Sequence, residues 1–397
     1  MIVSNSASSD ARVLKMAESA IKYKHEVHVF GTIADNTMPF EERNGIYFHR
    51  LEWKPVNFLL NLPIINFFFK YLRRPAIFLA KGLSPYIKYY LFSHIFTKHI
   101  VGINPDIIHA HDLICLPTAV KSASLCNASV IYDAHELETH RNPPLPILQK
   151  MFVRYIEKKY GSQAHAVITV GDLIRKEIAK IIKNKKIYVI YNSPIIEITK
   201  NSIRKDLKID SKTPLIIYIG KLTEGRGIYD ILNILPKLPH VIFATVGPYQ
   251  ETIKNTLYLY AKKLGVETRF RILPPVPNKH VVNYVKGADL GIIAVEPITL
   301  SYQYCMPNKL FEMAFANMPI VSNELDEIAS FIREHKNGEI IDYEDTNSLP
   351  LIFSKVLSQK PNYLMSKRIF TNLQRKYSWA AQEKILIDIY ASALKRI

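Results

Sequence analysis

Short apolar runs alternate with longer amphipathic stretches along most of this chain, and that alternation restricts its fold more than any single motif. Glu26–Gly31 (EVHVFG), Ile46–Leu51, Asp106–Ala110 (DIIHA), Ser129–Tyr132, Ala166–Val170 and Ile187–Ile190 each read as a strand, and Met1–Ser4 as a short first one. Helical stretches separate them, the first over about Ala11–Lys24. Strands that alternate with helices make parallel sheets with crossover connections.

The pattern restarts after the polar, basic stretch Thr199–Lys212, with Pro214–Gly220 (PLIIYIG), Val241–Gly247 (VIFATVG), Thr268–Leu273, Asp289–Ala294 and Pro319–Ser322. This predicts two α/β domains, 1–196 and 197–375, with a linker near Pro194–Ser211. A C-terminal helix over 376–397, amphipathic from Ser378, is expected to pack back on the first domain. Two such halves imply a cleft, since ligands of open α/β sheets bind beyond the carboxyl ends of the strands.

Composition narrows the class further. At 397 residues and 48% hydrophobic content the chain can build large cores, which excludes a disordered or disulfide-stapled protein. Cys115, Cys126 and Cys305 form no CxxC pair, which suits a reducing compartment. The start MIVSNSASSDAR lacks the basic and apolar regions of a signal peptide, so none is expected. The 52 Lys and Arg against 35 Asp and Glu give a formal charge of +17, which attracts nucleic acid, acidic lipid or a phosphorylated substrate. Leu51–Ile100 concentrates that character: it has 12 aromatic residues and seven Lys or Arg against one acid, Glu52. Its apolar run Pro55–Phe69 is broken by Asn57, Asn61, Pro63 and Asn66, so it is expected to lie in a membrane interface and not to span the bilayer.

Five places carry candidate chemistry. The turn Ser4–Asp10, with Ser8 and Ser9, joins the first strand to the first helix, where free N–H groups favour phosphate; for Ser9 and Asp10 alone a plain helix cap is the preferred reading. It lacks GxGxxG, which rejects a dinucleotide-binding reading. His109 and His111 stand two apart at a strand end and share a face there; metal binding with His135 is weighed, and polar lining of a cleft preferred. Asp133, His135 and Glu136 follow the next strand, where an imidazole is placed to donate a hydrogen bond or move a proton near neutral pH. Gly220–Gly227 (GKLTEGRG) offers Lys221 and Arg226 on a strand-to-helix turn, suited to a diphosphate. Pro307–Ala314 (PNKLFEMA) puts Asn308, Lys309 and Glu312 at a helix start, where the carboxylate can accept ribose hydroxyls; an ordinary helix start is the plainer alternative.

Taken together, SDARVLKMA, PDIIHAHD, YDAHE, IGKLTEGRG and ADLGIIAVEP with PNKLFEMAFANMPIV resemble, in their order, glycosyltransferase family 4. These are retaining enzymes of the GT-B fold, two Rossmann-like parallel-sheet domains facing across a cleft. The resemblance implies that His135 lies beside the donor sugar, that Lys221 and Arg226 hold the donor diphosphate, and that Glu312 binds the ribose. Eight positions before Glu312 stands Tyr304, not the first Glu of the E-x7-E motif, so the chain is similar to members with a PxK–E variant, and Ser301–Lys309 becomes the expected donor-sugar loop. The implied reaction is sugar transfer with retention from a nucleotide-diphosphate sugar, UDP-sugar above others, without a metal. Lys221, Arg226 and Lys309 would stabilise the leaving diphosphate. The expected acceptor is a saccharide or a lipid-linked saccharide, such as a lipopolysaccharide precursor, met from the cytoplasm at the inner membrane face. A sugar-nucleotide epimerase and a catalytically degenerate partner subunit are the competing readings; a nucleic-acid binder is disfavoured because no RNP, KH or zinc-finger motif occurs.

Overall fold

The computed structural model describes the chain apart from residues 9, 54–72, 343–344, 346 and 396–397; residues 73–84 are described by backbone alone. Ser9 and the whole aromatic run Pro55–Phe69 therefore lie outside the described residues. The chain forms two compact units, Met1–Ile190 with Glu383–Ile397, and Tyr191–Gln382.

Unit 1 runs α1 (Ala11–Lys22), β1 (Val27–Thr32), β2 (Phe40–Arg43), β3 (Ile46–Leu51), α2 (Arg73–Val101), β4 (Ile107–His111), α3 (Leu116–Cys126), β5 (Ser129–Ala134), α4 (Ile147–Gly161), β6 (Ala166–Thr169), α5 (Asp172–Ile181) and β7 (Ile187–Val189). Strands β4 to β7 pair in order, all parallel; β1 pairs parallel with β3, and β2 antiparallel with β3. Met1–Ser4 does not form a full strand: Ile2 alone makes parallel bridges to Phe30 and Ala110, and so joins β1 to β4. Helix α1 turns Val13, Met16, Ala17 and Ala20 into the core. Asp10 caps it, accepting from Val13 N–H.

Unit 2 runs α6 (Ile203–Leu207), β8 (Leu215–Ile219), α7 (Ile228–Ile234), β9 (Ile242–Val246), α8 (Glu251–Lys263), β10 (Phe270–Leu273), α9 (Val281–Val285), β11 (Leu290–Ile293), α10 (Leu300–Gln303) and α11 (Asn308–Phe315). It continues through β12 (Ile320–Asn323), α12 (Asp326–His335), β13 (Gly338–Ile341), α13 (Leu349–Ser358), α14 (Lys360–Tyr363) and α15 (Lys367–Tyr377). Its sheet is fully parallel, ordered β10-β9-β8-β11-β12-β13. The order reverses between β8 and β11, and a crevice opens at such a switch beyond the carboxyl ends of the two strands. The core gathers Ile216, Tyr218, Phe243, Phe270, Ile292 and Phe353.

The last helix, α16 (Trp379–Leu394), carries the chain from unit 2 into unit 1. Its Glu383–Leu394 part is tied to unit 1 by Tyr390 OH, 2.8 Å from His109 Nδ1, and by Ser129 Oγ, which donates to Ala393 O at 3.0 Å. Among the described residues no helix is long and apolar enough to cross a membrane.

Candidate functional site

In unit 1 the candidate residues meet at the carboxyl ends of β4 and β5. Their register sets His111 opposite Asp133. The rings of His109 and His111 stack at 4.3 Å on one face, as their spacing predicts. Arg12, on the buried face of α1, donates twice to Asp133, at 2.8 and 2.7 Å, and to Ile190 O at 2.8 Å. Asp133 Oδ2 also lies 3.1 Å from both His111 Nδ1 and His135 Nε2. The other nitrogen of His135, Nδ1, is 3.2 Å from Asp112 Oδ1.

Charge in this cluster is compensated internally. Burial opposes ionisation of Asp133, but Arg12, His135 and His111 outweigh it and hold the carboxyl well below the usual range. Burial likewise opposes charge on His135, but Asp112 and Asp133 push it up to about 9. Burial lowers His109 and His111, keeping both neutral. This revises the expected chemistry of His135. With each ring nitrogen facing a carboxylate, it is a fixed imidazolium at neutral pH. Its neighbour Glu136 is raised to about 7 by burial and Glu138, and Glu157, buried beside Tyr132, is also raised to about 7.

Donor atoms of His109, His111 and Asp133 lie within 4.8 Å of one another. Asp133, not His135, is the third member of this set. The cluster suits a cation poorly, because Arg12 already neutralises Asp133 and Tyr390 holds His109 Nδ1. Ser8 is placed nearby in sequence, before α1, with its hydroxyl buried and without a partner among the described residues.

In unit 2 the candidates collect at the β8/β11 switch. The loop after β8 turns through Gly220, Gly225 and Gly227, all at positive φ, into α7. Gly227 is required twice over: its φ is +69°, and a Cβ there would lie 2.2 Å from Ala294 Cβ. The tight turn brings Arg226 over the ring of Tyr302 on α10, 5.4 Å from its centroid. Lys309, in the first turn of α11, is buried with Nζ 3.8 Å from the centroid of Tyr218 on β8. Gly220 lines this pocket at φ +123°, a conformation that favours glycine; a Cβ there would meet that Nζ only in ordinary contact, at 3.5 Å.

Burial and the field of Arg226 lower Lys309 to about 7, against a smaller opposing pull from Glu312. Glu312 follows one helical turn later and is buried. Asn308 opens the helix, and Tyr304 ends α10. The expected donor-sugar loop Ser301–Lys309 is therefore a helical turn followed by an extended link into α11. Lys221 lies on the same loop after β8. Its side chain is exposed, and its backbone O accepts from Tyr218 OH at 3.0 Å.

Three residues went unnoticed in the sequence. Arg12 looks like one more cation on an amphipathic helix, yet its position beside Val13 and Met16 on the apolar stripe was a signal. Tyr218 lies within an apolar strand and reads as core. Tyr302 gives no signal by itself.

Family models match both units. The models of Glycosyltransferase Family 4 and of Glycosyl transferases group 1 match residues 11–193 and 199–372. An uncharacterized glycosyltransferase of Methanocaldococcus jannaschii is 21% identical over 402 residues, covering 96% of this chain and 93% of its own. Among solved structures, sucrose-phosphate synthase of Thermosynechococcus elongatus has a TM-score of 0.74 at 14% identity, covering 100% of this chain and 98% of its own. Anabaena HepE, solved with UDP and glucose, has a TM-score of 0.71 at 13% identity, with 98% of each chain covered. Two Rossmann-like units, the ordered motifs and the two family matches make this chain a member of the group 1 glycosyltransferases of family 4, with the GT-B fold.

Proposed function

We propose that the protein transfers a sugar from a UDP-sugar to a saccharide or lipid-linked acceptor, with retained anomeric configuration, in cell-surface polysaccharide or glycolipid synthesis. The observation that carries this reading is the buried Lys309 ammonium beside Arg226 at the switch point of unit 2. Two neighbouring cations, one of them desolvated, are unfavourable until an anion arrives. A donor diphosphate supplies that anion. The UDP held by the Anabaena protein supports uracil as the base.

In this reading Lys309 and Arg226 stabilise charge on the leaving diphosphate, an electrostatic effect that removal of one donor typically shows as about 3 kcal/mol in rate. Lys221, exposed at the turn, closes on the outer phosphate oxygens. Glu312 accepts the ribose hydroxyls, and Asn308 and Tyr304 line the approach to the sugar. His135 acts as a positioned cation whose geometry is set by Asp112 and Asp133. Glu136 is the protein group best suited to exchange a proton near neutral pH. Ser8, Ser9 and His111 are assigned to acceptor binding in unit 1. The site of action is the cytoplasmic face of the membrane.

The test offers labelled UDP-sugars, with GDP- and ADP-sugars as controls, to the protein and a membrane lipid extract. Label appearing in the organic phase, joined with the donor's anomeric configuration, is expected from UDP-sugar. Epimerised donor without acceptor labelling, or inverted product, would overturn the reading.

A further inference from the structure

Helix α4 carries a face that the site does not use. Ile147, Leu148, Met151 and Tyr155 are 78%, 72%, 64% and 57% exposed. Arg154, Lys158 and Lys159 are exposed with them. At about 100° per residue these seven positions fall within one arc of roughly 140°. Val153, Ile156 and Glu157 occupy the opposite, buried face. Glu157 is the helix's one acid, and it accepts from Tyr132 OH at 2.9 Å inside the core. The outward arc is thus apolar or cationic throughout. Isolated exposed apolar side chains are ordinary, but four on one arc are not.

The two characters are also separated along the axis. Apolar side chains fill the first turns, and exposed Pro143, Pro144 and Pro146 extend them upstream. Cations dominate the last turns, where Lys159 Nζ lies 5.8 Å from the Tyr155 centroid and 5.2 Å from that of Tyr160.

We propose that this face of α4 docks on an anionic phospholipid surface. Apolar side chains enter the headgroup boundary while Arg154, Lys158 and Lys159 meet lipid phosphates, their stems lying along the interface. A second copy of the chain is a poorer occupant. Antiparallel pairing of two such faces sets the cationic half of each against the apolar half of the other, with no acid to compensate. This surface lies outside Leu51–Ile100, the stretch that the sequence alone favoured.

The placement has a consequence that rests on the transferase reading. Only residues 135–146, with a short 3-10 turn at Glu138–His140, separate α4 from the carboxyl end of β5, which carries Asp133 and leads to His135 and Glu136. Docking α4 therefore brings that strand end towards the interface, where a lipid-linked acceptor resides.

The test is flotation of the full chain with vesicles of phosphatidylcholine alone, or containing about 30 mol% phosphatidylglycerol. Binding to the anionic vesicles is expected, with partitioning reduced about tenfold or more by Leu148→Glu/Met151→Glu and by Lys158→Glu/Lys159→Glu. Tyr155→Trp supplies an independent readout: its emission should shift to the blue with anionic vesicles. Unbound wild type, equal binding by the variants, or an unshifted spectrum would overturn the proposal. So would a wild-type dimer that the glutamate variants split while lipid binding stays unchanged. UDP titration of the same proteins separates the two readings. Lost lipid binding with intact UDP binding supports docking, whereas lipid binding without any nucleotide binding would remove the transferase reading and leave docking standing.

Discussion

The two charged clusters, one in each unit, handle burial in opposite ways. In unit 1 Asp133 is fully enclosed, yet it is met by Arg12, His111 and His135, and His135 is met in turn by Asp112. Each ionised group keeps its charge because its partners come from the protein. In unit 2 Lys309 is enclosed over the Tyr218 ring, and burial together with the neighbouring Arg226 lowers its pKa to about 7. A network that satisfies itself holds geometry; a desolvated cation with a cationic neighbour is a place for an anion. Stability and ligand affinity should therefore respond in opposite directions when the two clusters are altered.

The largest effect is expected from Arg12→Ala. It leaves Asp133 buried without its main partner, and breaking a buried pair in this way costs about 3–5 kcal/mol. A lowered urea midpoint with an unchanged slope is the expected outcome; an unchanged midpoint would mean that the network does not hold unit 1 together. Lys309→Met should do the reverse. It keeps the apolar stem and removes the desolvated charge, so the ligand-free protein should unfold at the same temperature or higher. UDP affinity should fall by about 10- to 100-fold, the equivalent of about 1.5–3 kcal/mol for a hydrogen bond to a charged group. Destabilisation without loss of affinity would refute the contrast.

The third prediction concerns pH and UDP. Free Lys309 titrates at about 7, and a bound diphosphate raises that value. Its contribution is complete below the free value and is lost as pH rises through the bound one. UDP affinity should therefore decline on the alkaline side, with proton uptake on binding. Lys309→Arg stays charged, so its titration curve should lack this decline; equal pH dependence in the two proteins would count against the assignment. The smallest effect belongs to His135. Its folded pKa of about 9 lies above the ordinary 6.5, so its pairing stabilises fully below 6.5 and is lost as pH passes 9. The stability difference between wild type and His135→Gln should shrink across that window, and a constant difference would contradict the imidazolium assignment.

The same contrast explains what could be read from the sequence. Strands such as Leu215–Ile219 and Ile242–Val246 were legible because burial on both faces leaves a continuous apolar run. β2 was not, since Phe40–Arg43 (FEER) is an exposed edge strand carrying three charged residues. Met1–Ser4 had strand composition but makes only the two bridges of Ile2. Lys309 and Glu312 were legible because one helix holds both, one turn apart. Arg12 was not, because its partner lies 121 residues away in sequence and only the fold brings them together. Tyr218 looked like core because it is core; the use of its ring as a platform for Lys309 appears only when α11 is placed beside β8. The protonation of His135 was equally out of reach, since it depends on two carboxylates converging on one ring.

The most direct test of the account is calorimetric titration of the full chain with UDP, GDP and ADP, repeated on Glu312→Ala. The account predicts that UDP binds to the wild type with proton uptake above pH 7, and that Glu312→Ala abolishes the binding while leaving the fold intact. A folded wild type that binds none of the three, or one whose binding survives Glu312→Ala unchanged, would contradict it.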